Sequence, residues 1–326
     1  MQAWVGIDVA KASLDIVLLR EQDRHHTSIP NTKAGFRRLR QFLKKRWRDG
    51  VHVCLEATGL YGDGVAAFLH QHGYTVSVVN PARINAYGES QLKRNKTDRS
   101  DAQLIADFCR TQHPEPWTPP PPAVKELRSL LRHLDDLLAM RQQERNRLQA
   151  GETSPTVLTQ LQDHLTFLDQ QITTLQQQID DHFDQHPDLK QQRDLLTSIP
   201  GIGDLTASRL LAELRDVRAF ASARQLAAFV GVTPRQHTSG SSVRRKSRMS
   251  KQGSPSLRAA LYLPAVVAIR YNPFVRALAE RLRASGHCQM SIIVAAMHKL
   301  LHLAFGVLKS GQPFDPHYLH LPAATP

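Results

Sequence analysis

An aspartate sits inside the apolar run WVGIDVA, whose valines and isoleucine mark a buried strand. An unpaired carboxylate there would cost several kcal/mol, so something cationic is expected to face Asp8. The fold must then bring the end of this strand to a polar, cation-accepting place. Only a few α/β arrangements do that, which makes Asp8 the strongest single constraint on the chain.

The segments around it alternate in period. LDIVLLR follows after the short link KAS and reads as a second strand joined to the first by a tight connection. Residues Lys33 to Trp47 read as a basic amphipathic helix capped by Asn31 or Thr32. VHVCLEA is a further strand that ends at Glu56, and TGLYGDGVAAFLHQHG is a turn followed by a helix. YTVSVVN is another buried strand, stopped by Pro81, and Thr97 with Asp98 opens the helix DRSDAQLIADFCR. This first region is an α/β unit.

The proline cluster TQHPEPWTPPPP, Thr111 to Pro122, cannot continue a helix and reads as a stiff extended linker. Three regions are expected: 1–122, 123–190 and 191–326. In the middle one, Val124, Leu127, Leu131, Leu134 and Leu138 recur at spacings of three and four. After the break at GETSP, Leu158, Leu161, Leu165, Leu168, Ile172, Leu175 and Ile179 form a heptad stripe. Stripes this narrow must pair, either as an intramolecular helical hairpin or as a coiled-coil arm between subunits. The last region reads as mostly helical. In LLTSIPGIGDLTASRLLAEL, Gly201 and Gly203 lie between two apolar-periodic segments, the layout of a helix-hairpin-helix turn that could meet a phosphate; a plain glycine-capped turn has the same pattern.

Charge narrows the partner. Forty-two Lys and Arg against 29 Asp and Glu give a formal charge of +13 and a pI near 10.0, so a polyanionic partner is expected. Between Asp216 and Glu280 there is no acidic residue but eleven Lys or Arg, the pattern of a phosphate-facing surface. Arg244, Arg245, Lys246, Arg248 and Lys251 are the densest part of it. They fall within Thr233 to Ser256, a polar segment read as a loop held by apolar helices on both sides.

Other classes are less compatible with the sequence. Three cysteines are too few and too scattered for a disulfide framework, and Cys54 and Cys109 read as core thiols of a reducing cytoplasm. The sixteen histidines read as solvated or internally satisfied. No signal-peptide pattern opens the chain, and the apolar run LYLPAVVAIRYNPF, interrupted by Pro264 and Arg270, is too short to span a membrane.

Asp8, Glu56, Asp98 and Asp101 together supply hard oxygen donors of the kind that holds magnesium for phosphodiester chemistry. The i, i+3 spacing puts the last two on one side of a helix. Each has a plainer role open to it: Asp98 and Asp101 as helix-terminal carboxylates, Glu56 as the partner of a cation. A hydroxyl in SGSS beside arginines could attack a phosphate and conserve its bond energy in a phosphoserine, or the serines could be neutral loop residues.

GIDVAK, LEATG, RNKTDRSDA, SIPGIG, GVTP, SGSSVR and SRMSKQG, in that order, resemble the motifs of the DEDD transposases of the one-ten family of bacterial insertion sequences. The resemblance runs from the first strand to about Lys309. It implies a RuvC-like, ribonuclease H-type N-terminal domain, with Asp8, Glu56, Asp98 and Asp101 as magnesium ligands. It further implies that Ser239, immediately before the glycine of SGSS, is the nucleophile of a recombinase in the bacterial cytoplasm. Target and donor DNA, a structured non-coding bridge RNA as guide, and a dimer-to-tetramer assembly are the partners implied, with no membrane. A RuvC-like structure-specific endonuclease of the Holliday-junction type is the alternative expectation. A non-catalytic nucleic-acid-binding scaffold is the rival from another class.

Overall fold

A computed structural model describes residues 3–317 other than 22, 47–49, 58, 92–96, 152, 153, 215, 216, 218, 219, 240–242 and 251; for 60, 235–239 and 243–248 it describes the backbone alone. The chain divides into two compact units, Met1–Pro119 and Pro120–Pro326.

The first unit is a mixed sheet with helices on both faces. Its strands are β1 (Ala3–Val9), β2 (Ser13–Arg20), β3 (Asp23–Pro30), β4 (Val51–Glu56) and β5 (Thr75–Val79), in the order β3-β2-β1-β4-β5. The first three are antiparallel; β1, β4 and β5 are parallel. This arrangement is consistent with the ribonuclease H-like domain that the sequence implies. Period-two alternation assigns the faces. Val5, Ile7, Val53 and Leu55 pack with Phe36, Leu39 and Leu43 of α1 (Lys33–Arg46) and Val65 and Leu69 of α2 (Leu60–Gln71). Cys54 instead joins Leu104, Ile105, Phe108 and Cys109 of α4 (Asp98–Gln112), and Val17 and Leu19 meet Ala102 and Ala106 of the same helix.

Two elements of this unit differ from the reading of the sequence. β3, DRHHTSIP, buries only Ile29, because an edge strand held by its ladder to β2 needs little apolar patterning. Pro81 ends β5 and also opens α3 (Pro81–Ser90): Asn80 accepts from the Ala82 N–H at 2.9 Å, and proline suits the first turn. The proline linker is tied down. The Trp117 N–H donates to the Val76 carbonyl at 2.6 Å, Ser77 Oγ lies 3.0 and 2.8 Å from the carbonyl oxygens of Pro114 and Glu115, and the Trp117 ring enters the core.

The second unit is mostly helical around one continuous core. α5 (Pro122–Gln149) and α6 (Pro155–Asp184) lie antiparallel along each other. His182 meets the Ala123 carbonyl, Arg141 pairs with Asp169, and His164 with Glu144, so numbers rise on one helix as they fall on the other. Leu168, Ile172, Leu175 and Ile179 of the heptad stripe are buried, whereas Leu158, Leu161 and Leu165 are only half-buried. Beyond come α7 (Pro187–Thr197), α8 (Asp204–Glu213), α9 (Ala223–Val230), α10 (Pro255–Tyr271), α11 (Pro273–Ala284) and α12 (Gln289–Ser310).

Helix α12 was not singled out by the sequence reading. By length and a mean hydropathy of 1.7 it could cross a membrane, the single such helix among the described residues, yet half of it is buried and it packs on α9, α10 and α11 as a core helix. The polar segment expected as a loop contains a hairpin instead, β6 (Pro234–Ser239) with β7 (Val243–Met249). Backbone pairing, which needs no apolar stripe, forms it.

Candidate nuclease-type site and basic hairpin

The ladder determines which carboxylates share a face. Ile7 lies beside Leu55 in the parallel β1–β4 pair, so Asp8 and Glu56, one residue further along each strand, sit level and on the same side. That side is the one Gly6 presents to α4. A Cβ at Gly6 would lie 2.1 Å from the Ala102 carbonyl oxygen and 2.3 Å from the Ala106 nitrogen, so helix and strand touch backbone to backbone here. Further back, the Cys109 thiol reaches the His52 carbonyl at 3.7 Å. Helix α4 therefore runs against the direction of β1 and β4, and its first turn lies over their carboxyl ends.

That first turn carries Asp98 and Asp101. Its capping is done by others: Thr97 Oγ1 accepts from the Ser100 N–H at 3.2 Å and Ser100 Oγ from the Thr97 N–H at 2.8 Å. The two aspartates are thus not needed as N-caps. Asp98 is exposed, and Asp101, Asp8 and Glu56 are half-buried.

Electrostatics ties three of the four together. Burial raises the Asp8 carboxyl above its ordinary range, and the negative charges of Asp101 and then Asp98 raise it further, against one backbone hydrogen bond from Val9. Asp15 adds a smaller push in the same direction. It is the cross-strand partner of Asp8 and was not singled out from the sequence; His26 Nε2 lies 3.0 Å from one of its oxygens, and Ser28 Oγ donates to the other at 3.3 Å. A DIVLLR strand opening gives no sign of this, because the pairing partner is set by register. Among the described residues, no three His, Cys, Asp or Glu side chains are gathered closely enough to hold one ion. The charges of Asp101 and Asp98 act on Asp8 across one face.

The serine and the cations lie in the second unit. Ser239 ends β6 opposite Val243, Thr238 pairs with Arg244, His237 with Arg245 and Arg235 with Arg248. The register slips between Arg235 and His237, leaving Lys246 in the irregular part of β7. The side chains of Ser239, Arg244, Arg245, Lys246 and Arg248 lie outside the described part of the structure, as do Gly240, Ser241, Ser242 and Lys251 altogether.

The two glycines of the SIPGIG turn differ. Gly201 has φ +108°, and a Cβ there would lie 2.7 Å from Ala268 Cβ and 2.9 Å from the Pro264 carbonyl oxygen, so its backbone seats the turn on α10. Asn272, fully buried, donates from Nδ2 to the Pro200 carbonyl at 3.3 Å and fixes the same turn. Gly203 is the N-cap of α8, without a side-chain cap and with open space around it.

Two family models match the chain. One, a DEDD transposase model of the IS110 type described as Transposase, covers residues 5–151; the other, described as Transposase IS116/IS110/IS902 family, covers residues 193–280. The chain is 32% identical over 318 residues to the pilin gene-inverting protein of Moraxella bovis, spanning 96% of this chain and 98% of that one. The corresponding protein of Moraxella lacunata matches equally. The transposase for insertion sequence element IS1328 of Yersinia enterocolitica is 26% identical, over 95% of this chain and 98% of the relative.

Proposed function

This chain belongs to the IS110 family of transposases, enzymes that cut and rejoin DNA, and on that premise we propose that it recombines DNA through a phosphoserine at Ser239, assisted by the carboxylates of the sheet unit. The observation that carries this reading is the shared face of Asp8 and Glu56 beneath the first turn of α4, with Asp8 raised by burial and then by Asp101 and Asp98. Negative charges that oppose the ionisation of Asp8 favour a divalent cation beside it, and an all-oxygen donor set suits magnesium. Asp8, Glu56, Asp98 and Asp101 would hold it by drawing closer together than they stand in the metal-free protein. When bound, it supplies positive charge to phosphate oxygens.

The covalent step belongs to the hairpin. The Ser239 hydroxyl attacks phosphorus, its proton passing to a neighbouring base; a new Oγ–P bond forms, the P–O bond to one deoxyribose breaks, and the departing oxygen takes up a proton. Rejoining is the reverse, with the hydroxyl of a different DNA end attacking the phosphoserine, so no bond energy is lost to water. Arg244, Arg245, Lys246, Arg248 and Lys251 neutralise the phosphate oxygens, and Gly203 leaves a helix start open to backbone approach. Gly201 assists indirectly by seating that turn.

Base pairing with a structured RNA selects target and donor, which leaves the protein to recognise backbone and shape. The eleven Lys and Arg of the acid-free block support the backbone-recognition half of this reading. We further propose that the chain acts as three regions, 1–122, 123–190 and 191–326, and that the α5–α6 hairpin, with its half-buried Leu158, Leu161 and Leu165, carries contacts between subunits. The Moraxella relatives are named for inverting a pilin gene, a rearrangement that requires DNA to be cut and rejoined.

The test mixes protein, magnesium, the RNA transcribed from the DNA flanking the gene, and end-labelled target and donor DNA, and resolves the products on a denaturing gel. A protein-linked DNA band is expected for the wild type and its loss for Ser239→Ala. Free cleaved ends with no linked band, unchanged in the variant, would replace this reading with that of a structure-specific endonuclease.

A further inference from the structure

Helix α12 carries two histidines one turn apart, His298 and His302, in the sequence HKLLH. Their rings lie against each other, tilted by 35°, with centroids 4.4 Å apart. Both are half-buried, and burial holds both imidazoles below their ordinary range. At His298 the Arg224 guanidinium of α9 and the Lys299 ammonium lower it further; at His302 the further causes are His298, Lys299 and Arg224, in that order. Helices α7, α10 and α11 also pack on α12, and among the described residues none of their charged groups acts on either ring. The Lys299 ammonium stands 5.8 Å from the centre of the Phe274 ring of α11. Among the described residues, His302 Nε2 is buried and has no hydrogen-bond partner.

A buried ring nitrogen without a partner, in the field of Lys299 and Arg224, lacks a negative neighbour. The surrounding chain has little to offer, since residues 217–279 contain no carboxylate. An anion entering here would be drawn by Arg224 and Lys299. It would also favour protonation of the imidazoles, so that each ring could donate to it. For an enzyme that cuts and rejoins DNA, the anion at hand is a backbone phosphate.

We propose that Arg224, His298, Lys299 and His302 form a phosphate clamp for the DNA backbone, in which the histidines take up a proton as the phosphate enters. The proposal rests on the chain's acting on DNA and on no part of the serine or metal reading.

The test is calorimetric titration of the purified protein with a short DNA duplex, in EDTA to prevent cleavage, using two buffers of different ionisation heat at each pH. The wild type is expected to take up about one proton on binding near pH 7, so that its affinity falls roughly tenfold per pH unit as pH rises through that range. The double variant His298→Gln, His302→Gln should take up none and show a flatter pH profile, with its deficit against wild type largest at the lowest pH measured. Melting temperatures of the two proteins identify any misfolding. Arg224→Gln with Lys299→Gln, an independent pair with Arg224 on the surface, should weaken binding at every pH and lower its salt dependence. Binding without proton uptake, or equal uptake in the double variant, would overturn the clamp alone. Failure of the wild type to bind DNA would overturn the clamp together with the DNA reading, and uptake with an RNA duplex but not with DNA would reassign the site to RNA and overturn the proposal.

Discussion

In the sheet unit, negative charge is gathered by geometry; in the helical unit, positive charge accumulates by composition. Asp8 and Glu56 share a face because β1 and β4 are parallel neighbours in a fixed register, and Asp98 and Asp101 come over them because Gly6 lets α4 touch the strand. The cations from Arg218 to Arg276 need no such register, since any surface path through an acid-free stretch is positive. The first arrangement should therefore fail abruptly when one backbone contact is spoiled. The second should weaken by increments.

Asp8→Asn tests the sheet unit most severely. Recombination is expected to fall by roughly a hundredfold or more, measured by product formation, while the metal-free fold gains stability. The sign follows from the raised carboxyl: the folded state holds the Asp8 proton more tightly than the unfolded state, whose value is 3.8, so stability falls as pH rises through the raised folded value. Asparagine removes that loss, and at pH 7 the metal-free variant should melt about 2 °C above wild type, with the gap closing near pH 4. Magnesium should raise the melting temperature of the wild type and not of the variant.

Gly6→Ala comes next. A methyl group set against the Ala102 oxygen and the Ala106 nitrogen meets backbone that cannot rotate away, so the variant should lose about 3 kcal/mol in denaturant titration and its activity with it. A loss under 1 kcal/mol would show that β1–α4 contact does not position the aspartates. In the helical unit, Gly201→Ala combines a positive φ with a clash against Ala268 and should cost about 2 kcal/mol while leaving magnesium-dependent stabilisation intact. Thr97→Ala removes one half of the cap on α4 and should cost about 1 kcal/mol. Any single change among the β7 arginines should have the smallest effect, about one unit of the salt slope of DNA binding.

How far the sequence could be read follows the same contrast. Strands β1, β2, β4 and β5 and helix α4 with its Thr97 start were legible, because each buries a periodic apolar face. The edge strand β3 and the β6–β7 hairpin were not, since both are held by ladders between polar residues. The four carboxylates were singled out by their motifs, and their part in catalysis stays a proposal. Asp15 was missed because being opposite Asp8 is a property of the β1–β2 register, and the Asp15 contacts with His26 and Ser28 come from a strand that was itself unread. His298 and His302 were passed over within an apolar helix, where the influence of Arg224 on them depends on how α9 meets α12. Gly201 looked like a phosphate-turn glycine, and its φ and its contact with α10 give it a packing role.

The most direct measurement is to trap the protein–DNA adduct, digest it with trypsin and nuclease, and locate the nucleotide by mass spectrometry. The account predicts a phosphodiester remnant on Ser239, present in the wild type and absent from Ser239→Ala and from Asp8→Asn. A remnant on Ser241 or Ser242, or cleavage that leaves no modified peptide, would contradict it.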